Sequence, residues 1–290
     1  MKFVFILNPD AGRGKCKKIL PKIEEVCKKR EYDYDIRFIT ENLTADIIAK
    51  EYNNYNEECV IYIVGGDGTI TKVLPSLINS KNSLGIIPAG SGHDTYRSII
   101  KLPNGVTTID TALINGVNFI NIACMGIDAE VANNVDIMKN KPIPTSQLYN
   151  ASLIYTFIKY KFKKAKIKTP IKNINDYYSI FSICNGGYYG GGFNIAPKSE
   201  MTDGLLDVYY AERMNRFKMI PLLLKLTKGK HEGKRRIHKF RTNKIEVELD
   251  EEVTFNVDGE KVTSKKFKIE LLPRSVKIYN DDEFVNEIMK

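Results

Sequence analysis

The sequence has 290 residues, of which 43% are hydrophobic and 27% are charged, and its formal net charge is +9. These proportions are those of a globular protein, and they exclude a disordered chain, a collagen-like repeat and a disulfide-rich mini-protein. Residues 159–172 hold seven Lys and no acid, and residues 225–241 hold five Lys, three Arg and one Glu. The positive charge is therefore local, and it suggests an anionic partner such as nucleic acid, a membrane surface or a phosphorylated ligand.

The cysteine and histidine content indicates a cytosolic protein without a multi-histidine metal site. The five Cys residues are scattered and form no CxxC pair, and only three His are present. Such a pattern is typical of reduced thiols. The apolar run over residues 3–7 is too short for a signal peptide, and no run of about 18 apolar residues predicts a membrane span.

The first 115 residues alternate between strand-like and helix-like patterns, which predicts a mostly parallel sheet with helices on both faces. We assign residues 1–115 to a nucleotide-binding domain. The predicted strands cover residues 3–7, 34–39, 59–64 and 84–87, and the predicted helices cover residues 19–27, 45–52 and 70–78.

Residues 116–274 are predicted to form a second, β-rich antiparallel domain, a sandwich or an open barrel, that receives the substrate. The tail 275–290 is a candidate to return to the first domain, and a ligand cleft is expected between the two. The predicted strands cover residues 119–123, 178–184, 204–211, 244–249, 253–257 and 267–272, and the predicted helices cover residues 145–162, 217–227 and 281–289.

The sharpest local feature is the loop Gly65-Gly66-Asp67-Gly68, which follows an apolar run and precedes a helical pattern. Glycines allow a tight turn and a close approach of the backbone to a ligand. A strand-to-helix turn of this kind aims backbone N–H groups at the carboxyl edge of a parallel sheet, which suits phosphate. The loop predicts a phosphate site with Asp67 beside a metal ion or a reacting hydroxyl. The alternative is an ordinary turn in which Asp67 is a helix cap.

Two further loops have the same strand-to-helix setting, residues 8–15 (NPDAGRGK) and residues 88–94 (PAGSGHD). Glycine-rich loops with adjacent Arg and Lys commonly hold phosphates, although the first loop lacks P-loop spacing and ordinary turns use the same residues. The carboxyl ends of parallel strands share one edge of a sheet. Three such loops together therefore indicate a nucleotide site more strongly than any one of them.

The ordered set NPDAGRGK, GGDGT, GIIPAGSGHD, NGG, GGG, AP, DGLLD and DGE resembles the diacylglycerol kinase catalytic family. It is most similar to the soluble bacterial lipid kinases, and it is also similar to sphingosine and ceramide kinases. The likeness covers nearly the whole chain. GGDGT is shared with NAD kinases and phosphofructokinases, so DGLLD and DGE are the elements that favour lipid kinases. The resemblance implies an α/β nucleotide domain like that of NAD kinase and phosphofructokinase, followed by a C-terminal β-sandwich.

The resemblance also implies a reaction: transfer of the γ-phosphate of ATP to a lipid hydroxyl, most simply that of diacylglycerol, to give phosphatidic acid. Phosphoryl transfer needs positioning, charge neutralisation and a carboxylate that accepts the hydroxyl proton. By resemblance, Glu260 of DGE is this general base and Asp67 belongs to its network. The residues implied to contact ATP are Asn8, Thr40, Gly65, Gly66, Asp67, Gly68, Thr69, Ile70, Thr71 and Ser91.

A structural Mg²⁺ is the second cofactor that the resemblance implies. Its ligands would be the side chain of Asp203 and the backbone carbonyls of Glu200 and Leu205. Hard oxygen ligands of this kind suit Mg²⁺. The alternative for Asp203-Gly204, and for Asp258-Gly259 in DGE, is an ordinary tight turn.

Two positions depart from the family pattern near the nucleotide. Lys72 stands where the helix after GGDGT usually has Glu, and His93 stands where the third loop usually has Asn. We interpret His93 as a substitute hydrogen-bonding side chain, and titration near neutral pH is the alternative. The departures keep open a nucleotide- or lipid-binding regulator with weakened catalysis, and the same phosphoryl-transfer chemistry keeps open a soluble-substrate kinase resembling NAD kinase.

The basic stretches are interpreted through the same resemblance. An interfacial helix with lysines against anionic headgroups is one interpretation of residues 146–172, and a packed helix followed by a solvated strand edge is the other. Nucleic acid is not expected, because no stacking pattern or nucleic-acid motif accompanies the charge. We expect a cytoplasmic enzyme of lipid biosynthesis with a lipid substrate and peripheral association with anionic membranes, and a homodimer is a candidate assembly.

Overall fold

The computed structural model of the protein describes residues 1–9, 11–90, 93–144, 147–214, 219, 221, 225 and 229–290. The chain divides into two compact units. Unit 1 comprises Met1–Thr111 and Leu272–Lys290, and unit 2 comprises Ala112–Leu271. Most of the helix predicted over residues 217–227 lies outside the described residues, and so does Ser91.

The helices and strands follow in chain order, with a short 3-10 turn at Ala11–Gly14 before the first helix. They are β1 (Lys2–Leu7), α1 (Lys15–Lys29), β2 (Tyr34–Phe38), α2 (Ala45–Asn53), β3 (Cys59–Gly65), α3 (Asp67–Leu77), β4 (Ser83–Pro88), α4 (Asp94–Ile99), β5 (Gly105–Ile114), β6 (Val117–Phe119), β7 (Ile122–Gly126), α5 (Ile127–Lys139), α6 (Leu148–Lys159), β8 (Lys163–Lys168), β9 (Asn173–Cys184), β10 (Tyr188–Tyr189), β11 (Phe193–Asn194), β12 (Leu206–Glu212), β13 (Ile237–Thr242), β14 (Lys244–Val257), β15 (Glu260–Asn280) and α7 (Asp282–Met289).

Unit 1 contains a parallel sheet in the order β2–β1–β3–β4, which the last part of β15 extends beside β4. β3 is buried along its whole length because it lies in the middle of this sheet. Parallel strands with both faces covered have continuous apolar sequences, as Cys59–Gly65 does. The parallel α/β fold predicted for the first part of the chain is confirmed.

An aromatic stack forms the centre of the core of unit 1. The Tyr62 ring lies 5.3 Å from the Phe5 ring and 5.3 Å from the Phe284 ring of α7. A Cβ at Gly85 would lie 2.6 Å from the Tyr62 ring, so the neighbouring strand carries no side chain there. The C-terminal helix thus completes the core of the N-terminal sheet, and Arg30, the residue that follows α1, also pairs with Asp281 at 3.2 Å.

Unit 2 is built from antiparallel pairs, in the order β13–β12–β9–β7–β14–β15, with β8 paired to both β14 and β9. Its core is a cluster of buried apolar residues that includes Phe181, Phe255 and Phe267. A second cluster includes Tyr160 and Tyr209. The β-rich fold predicted for this part is confirmed.

The prediction for unit 2 is wrong in several local respects, one of which is that it lacks strand β13. The strand predicted over residues 119–123 is interrupted at residues 120–121, because their amide groups bond to a side chain instead of a neighbouring strand. The strands predicted over 244–249 and 253–257 are one strand, β14, with a register shift between Glu248 and Val253. Helix α5 was not predicted, because its polar residues obscure the apolar spacing of Ile127, Val131 and Met138.

Candidate functional site

The GGDG loop lies at the carboxyl edge of the sheet in unit 1. Gly66 alone separates β3 from α3. Its carbonyl accepts hydrogen bonds from the N–H of Thr69 at 3.0 Å and of Ile70 at 3.3 Å. Gly68 is exposed, and a Cβ added there would meet nothing within 4 Å. The N-terminus of α3 therefore begins directly at the edge of the sheet, where anions bind.

The loops after β1, β3 and β4 touch one another backbone to backbone. The N–H groups of Ala89 and Gly90 both donate to the carbonyl of Gly65, at 3.0 and 2.9 Å. A Cβ added at Gly90 would lie 2.4 Å from the Cα of Gly66, and one added at Gly12 would lie 2.0 Å from the carbonyl oxygen of Ala89. Such distances exclude any side chain, so glycine is required at both contacts. The structure brings the three loops together.

Asn8 joins the first loop to the second through two bonds. Its N–H donates to the carbonyl of Val64 at 3.3 Å, and its side-chain amide donates to the hydroxyl of Thr69 at 3.3 Å. The thiol of Cys16 donates to the same Val64 carbonyl at 3.1 Å, and burial raises the pKa of this thiol. Cys16 is thus an unreactive packing residue. Asn8 and Thr69, both implied to contact ATP, lie side by side.

The Asp67 carboxylate connects the second loop to the third. One oxygen accepts the N–H of Asp94 at 3.1 Å, and the other accepts the N–H of Thr95 at 3.0 Å. These residues begin α4, and the first amides of a helix have no acceptor within that helix. The side chain of Asp67 thus caps α4, although Asp67 is itself the first residue of α3. The hydroxyl of Thr71 donates to the backbone carbonyl of Asp67 at 3.0 Å.

His93 precedes α4, and its carbonyl accepts the N–H of Arg97 at 2.9 Å. Its Nδ1 is buried and has no hydrogen-bond partner among the described residues. Burial lowers the pKa of His93, and the nearby Asp67 carboxylate offsets part of this effect. The imidazole is therefore neutral at pH 7. This direction favours a hydrogen-bonding role for His93 over titration near neutral pH.

Thr40 and Lys72 lie near the same edge without joining the loop contacts described above. Thr40 follows β2 in a turn, where its N–H and carbonyl both bond to Leu43, at 3.0 and 3.3 Å. β2 is parallel to β1, so Thr40 is at the carboxyl edge as well. Lys72 is exposed on α3.

Glu260 lies in unit 2 as the first residue of β15, and its side chain is exposed. It pairs with Val257 across a hairpin turn formed by Asp258 and Gly259. Both turn residues have left-handed backbone conformations, with φ of +47° and +94°. A two-residue turn of this kind is usual in hairpins and favours the sequence Asp-Gly. The DG pair of DGE thus forms the turn that presents Glu260.

The loop implied to hold magnesium is closed by ion pairs. One oxygen of Asp203 accepts the N–H of Leu205 at 3.0 Å, and the other bonds to the guanidinium of Arg241. The Nε of Arg241 also lies 3.4 Å from the carboxylate of Asp207, its register partner across β12 and β13. Lys239 lies 3.1 Å from the same oxygen of Asp207.

These residues do not fit a divalent cation while Arg241 is in place. The donor set of Glu200, Asp203 and Leu205 contains a single carboxylate directed at the ion, and Arg241 already neutralises it. Within the described part of the chain, no group of three or more His, Cys, Asp or Glu side chains could hold a metal ion. Mg²⁺ and the guanidinium would compete for one oxygen of Asp203. Magnesium at this loop stays a prediction.

Asp207 is the buried member of this charge cluster, with 2% of its side chain exposed. Burial raises the pKa of Asp207, with a further contribution from the carboxylates of Glu232 and Glu200, while Lys239 lowers it. Lys239 thus favours the ionised form of this buried carboxylate.

The Lys-rich stretch in unit 2 forms a strand with one exposed face. Strand β8 alternates, so that Ala165 and Ile167 are buried and Lys164, Lys166 and Lys168 are exposed. Helix α6 precedes it, and Ile154 and Ile158 of this helix are 62% and 61% exposed. No helix within the described ranges is long and apolar enough to cross a membrane.

Sequence reasoning missed the residues that hold the motifs in place. Asp258 was interpreted only as a turn residue, yet its carboxylate accepts three backbone N–H groups from residues 120–122. Arg241 enters the sequence analysis only as part of the basic stretch over residues 225–241. Asp-Gly at a hairpin signals the turn, but nothing in the sequence signals which distant amides the Asp side chain binds.

Two family models match the chain. The diacylglycerol kinase catalytic domain matches residues 2–125, and the YegS C-terminal NAD kinase beta sandwich-like domain matches residues 121–280. The diacylglycerol kinase of Bacillus subtilis (strain 168) is 28% identical over 269 residues, covering 88% of each chain. A "Probable lipid kinase YegS-like" protein of Klebsiella pneumoniae (strain 342) is 28% identical over 295 residues, covering 94% of each.

Solved structures show the same fold. One from Bacillus anthracis strain Sterne superimposes with a TM-score of 0.79 at 24% identity, covering 98% of this chain and 96% of that chain. Another from the same organism, titled a diacylglycerol kinase structure, superimposes with a TM-score of 0.72 at 21% identity, covering 98% of each chain. With its α/β unit 1 and its β-rich unit 2, this chain belongs to the diacylglycerol kinase and YegS-like lipid kinase family.

Proposed function

We propose that this protein is an ATP-dependent lipid kinase that phosphorylates the hydroxyl of diacylglycerol to give phosphatidic acid. The observation that carries the proposal is the backbone contact of three glycine-containing loops at one edge of the sheet in unit 1. Backbone amides and a helix N-terminus at such an edge bind phosphate without basic side chains. The family and the names of the relatives support a lipid acceptor.

The nucleotide end of the reaction is assigned to unit 1. The turn at Gly66 leaves no side chain between the backbone and the triphosphate, and Asn8 and Thr69 lie together beside it. Mg²⁺ bound to the triphosphate would neutralise the phosphate charge. Asp67 keeps the second and third loops in register through Asp94 and Thr95. Thr40, Ile70, Thr71 and Ser91 complete the proposed set of ATP contacts.

The acceptor end is assigned to Glu260. As the lipid hydroxyl oxygen attacks the γ-phosphorus, the bond to the β-phosphate oxygen breaks and ADP leaves. The hydroxyl proton passes to the carboxylate of Glu260, which acts as the general base. Glu260 suits this role because its side chain is exposed at the start of a strand and the hairpin turn holds its backbone.

Radiolabelled ATP and mixed micelles test this function directly. Label should pass to diacylglycerol in the presence of Mg²⁺, and parallel reactions with a sphingoid base and with NAD test the other lipid and the NAD kinase-like alternative. Label on NAD alone would show that the acceptor is a soluble molecule and not a lipid. ATP binding without transfer to any acceptor would identify the protein as a nucleotide- or lipid-binding regulator with weakened catalysis.

The variant Glu260→Gln tests the base. It should lower kcat by about 100-fold or more while ATP still binds, since general base catalysis contributes on that scale. The matched control is Glu252→Gln, an exposed carboxylate on the adjacent strand β14, which should keep wild-type kcat. Full activity of Glu260→Gln would remove Glu260 as the base.

Peripheral binding to anionic membranes is the second part of the proposed function. The exposed face of Lys164, Lys166 and Lys168 lies on the strand that follows α6, whose Ile154 and Ile158 are exposed. Each basic residue near an anionic surface contributes about 1 kcal/mol, and salt screens it. Lys163 is excluded from this face, since it pairs with Glu130 at 3.5 Å.

Sedimentation with vesicles containing phosphatidylserine tests the membrane proposal. Replacing Lys164, Lys166 and Lys168 by Gln should weaken binding at low salt and flatten its salt dependence. Replacing Lys17, Lys18 and Lys28, which are exposed on α1, by Gln makes the same change in net charge and should have a smaller effect. If the two variants weaken vesicle binding equally, the lysines of β8 are an ordinary solvated surface and not a membrane-binding face.

A further inference from the structure

A three-residue segment of unit 2 holds two of the sequence motifs in place. The carboxylate of Asp258 accepts the N–H of Ile120 at 2.8 Å and of Asn121 at 3.0 Å through one oxygen. Its other oxygen accepts the N–H of Ile122 at 2.7 Å. The N–H of Asp258 itself donates to the carbonyl of Ile122 at 3.0 Å. One turn residue thus makes four bonds to residues 120–122.

The carbonyl side of the same segment binds the NGG motif. The N–H groups of Asn185 and Gly186 both donate to the carbonyl of Asn121, each at 2.9 Å. The side-chain amide of Asn185 donates to the carbonyl of Ile120 at 2.7 Å, and this contact is buried. Residues 120–122 therefore form a bridge: their amides bind the DGE turn, and the carbonyls of Ile120 and Asn121 bind NGG.

The turn that bears Glu260 closes the hairpin of β14 and β15, and side-chain bonds add to this strand pairing. Asp258 has φ of +47° and Gly259 has φ of +94°, a region that costs energy for a residue with a Cβ. The N–H of Gly259 donates to the side chain of Asn256 at 3.2 Å in an exposed contact. The three charge-assisted bonds of Asp258 are shorter and partly buried, so they fix the turn against residues 120–122 more firmly than the Asn256 contact does.

We propose that Asp258 is a positioning residue for Glu260, acting through the bridge of residues 120–122 on the phosphoryl acceptor end of the reaction. The inference rests on the proposed function, because it takes Glu260 as the base. Asp258 sets the backbone from which Glu260 extends, and a displacement of the carboxylate by about 1 Å can cost on the order of 100-fold in rate. Loss of this role should lower kcat and leave the KM for ATP unchanged.

The test is the variant Asp258→Asn, which keeps the side-chain shape but removes the charge and turns one acceptor atom into a donor facing N–H groups. Its kcat should fall by about 10- to 100-fold, with the KM for ATP within about twofold of wild type. The control Asp250→Asn, an exposed aspartate on β14, should keep wild-type kinetics. Amide exchange at residues 120–122 should accelerate in Asp258→Asn alone.

A double-mutant cycle separates positioning from general loss of structure. If Asp258 acts through Glu260, adding Asp258→Asn to Glu260→Gln should lower the residual single-turnover rate by less than about twofold. Additive effects of the two changes, or a raised KM for ATP at unchanged kcat, would overturn the proposal. Where Asp258→Asn does not fold, Asn185→Ala, which removes one bond from the other side of the bridge, takes its place in the same cycle.

The cycle also distinguishes failure of this inference from failure of the proposed function. A fully active Glu260→Gln enzyme would refute the base assignment by itself, before Asp258 is tested. An inactive Glu260→Gln enzyme with additive loss in the double variant would keep the base and refute the positioning role.

Discussion

The two units hold their motif loops together by different means. In unit 1 the loops meet through glycine backbones, with Gly90 against Gly66 and Gly12 against Ala89. In unit 2 the DGE turn is held by a side chain, since the carboxylate of Asp258 binds the amides of residues 120–122. Backbone contacts place the loop amides at the sheet edge without charged side chains between them and a phosphate. The side-chain contacts of unit 2 instead occupy the amides of residues 120–122 and leave the carboxylate of Glu260 exposed two residues after Asp258.

One residue links the two designs. Asp67 in unit 1 does what Asp258 does in unit 2, since each motif aspartate binds backbone N–H groups of a segment distant in sequence. Both are therefore architectural, whatever they contribute to chemistry. The comparison implies that in unit 1 the loss of a charged side chain should be tolerated better than the gain of a methyl group at a glycine. In unit 2 the gain of a methyl group should be tolerated better than the loss of a charged side chain.

The largest effect should come from Gly90→Ala in unit 1. The new Cβ would lie 2.4 Å from the Cα of Gly66, and neither backbone can move without separating the loops. Overpacking of this kind lowers the free energy of unfolding by about 3 kcal/mol, and ATP binding should be lost with the loop contact. Urea unfolding and calorimetric ATP titration measure the two effects.

Gly68→Ala is the matched control for this prediction. It adds the same methyl group one loop away, within the first turn of α3, where it meets nothing within 4 Å. Alanine is favoured over glycine in a helix by about 1 kcal/mol, so the free energy of unfolding should rise slightly. Equal destabilisation by both variants would show that the loops do not depend on the Gly90 contact.

Asp67→Ala should have the next largest effect. Two amides at the start of α4 would lose their acceptor, and loss of a helix cap lowers the free energy of unfolding by about 1 to 2 kcal/mol. Asp67→Asn keeps one acceptor, so its melting temperature should lie between those of Asp67→Ala and wild type. Thermal unfolding measures the three melting temperatures. Identical melting temperatures for all three proteins would contradict the architectural role of Asp67.

The parallel sheet and its loops could be predicted because they depend on local sequence. Continuous apolar runs such as Cys59–Gly65 indicate buried parallel strands, and the glycine loops that follow mark the carboxyl edge. The strand patterns also predicted a β-rich second part, and the family likeness specified a β-sandwich there. Loop contact at the edge then follows from topology alone.

The remaining features could not be predicted because they depend on partners far apart in sequence. The break in the strand predicted over residues 119–123 exists because Asp258, in a distant hairpin, takes the amides of residues 120 and 121. The pairing of Asp203 with Arg241 follows from the register of β12 on β13. Neither strand order nor register is readable from composition or spacing.

A test in unit 2 uses Arg241→Gln with and without magnesium. Arg241 is 41% exposed, so loss of its ion pairs should lower the free energy of unfolding by only about 1 kcal/mol. Because the variant frees an oxygen of Asp203, added Mg²⁺ should raise its melting temperature and leave that of wild type unchanged. Arg235→Gln, an exposed change of equal charge, should not respond to Mg²⁺. Stabilisation of wild type by Mg²⁺ would favour the magnesium loop implied by resemblance.

The smallest effect concerns the histidines, of which the chain has three, one in unit 1 and two in unit 2. Burial lowers the pKa of His93 and of His231 from 6.5, and His231 also bonds through Nε2 to the carbonyl of Ile195 at 2.8 Å. The unfolded chain therefore takes up protons first as the pH falls. The free energy of unfolding should rise with pH from the lowered pKa values up to about 6.5 and then level off.

Imidazole NMR titration resolves the contribution of each unit. Besides Asp67, the charges that shift the pKa of His93 are Lys15 and Arg97, which lower it, and Asp94, which raises it. Removing the carboxylate in Asp67→Ala should lower the pKa of His93 further, because the protonated imidazole then loses the larger of its two carboxylate interactions, and it should leave the pKa of His231 unchanged. A changed pKa of His231 in that variant, or a raised pKa of His93, would show that Asp67 acts by some means other than its local charge and its capping of α4.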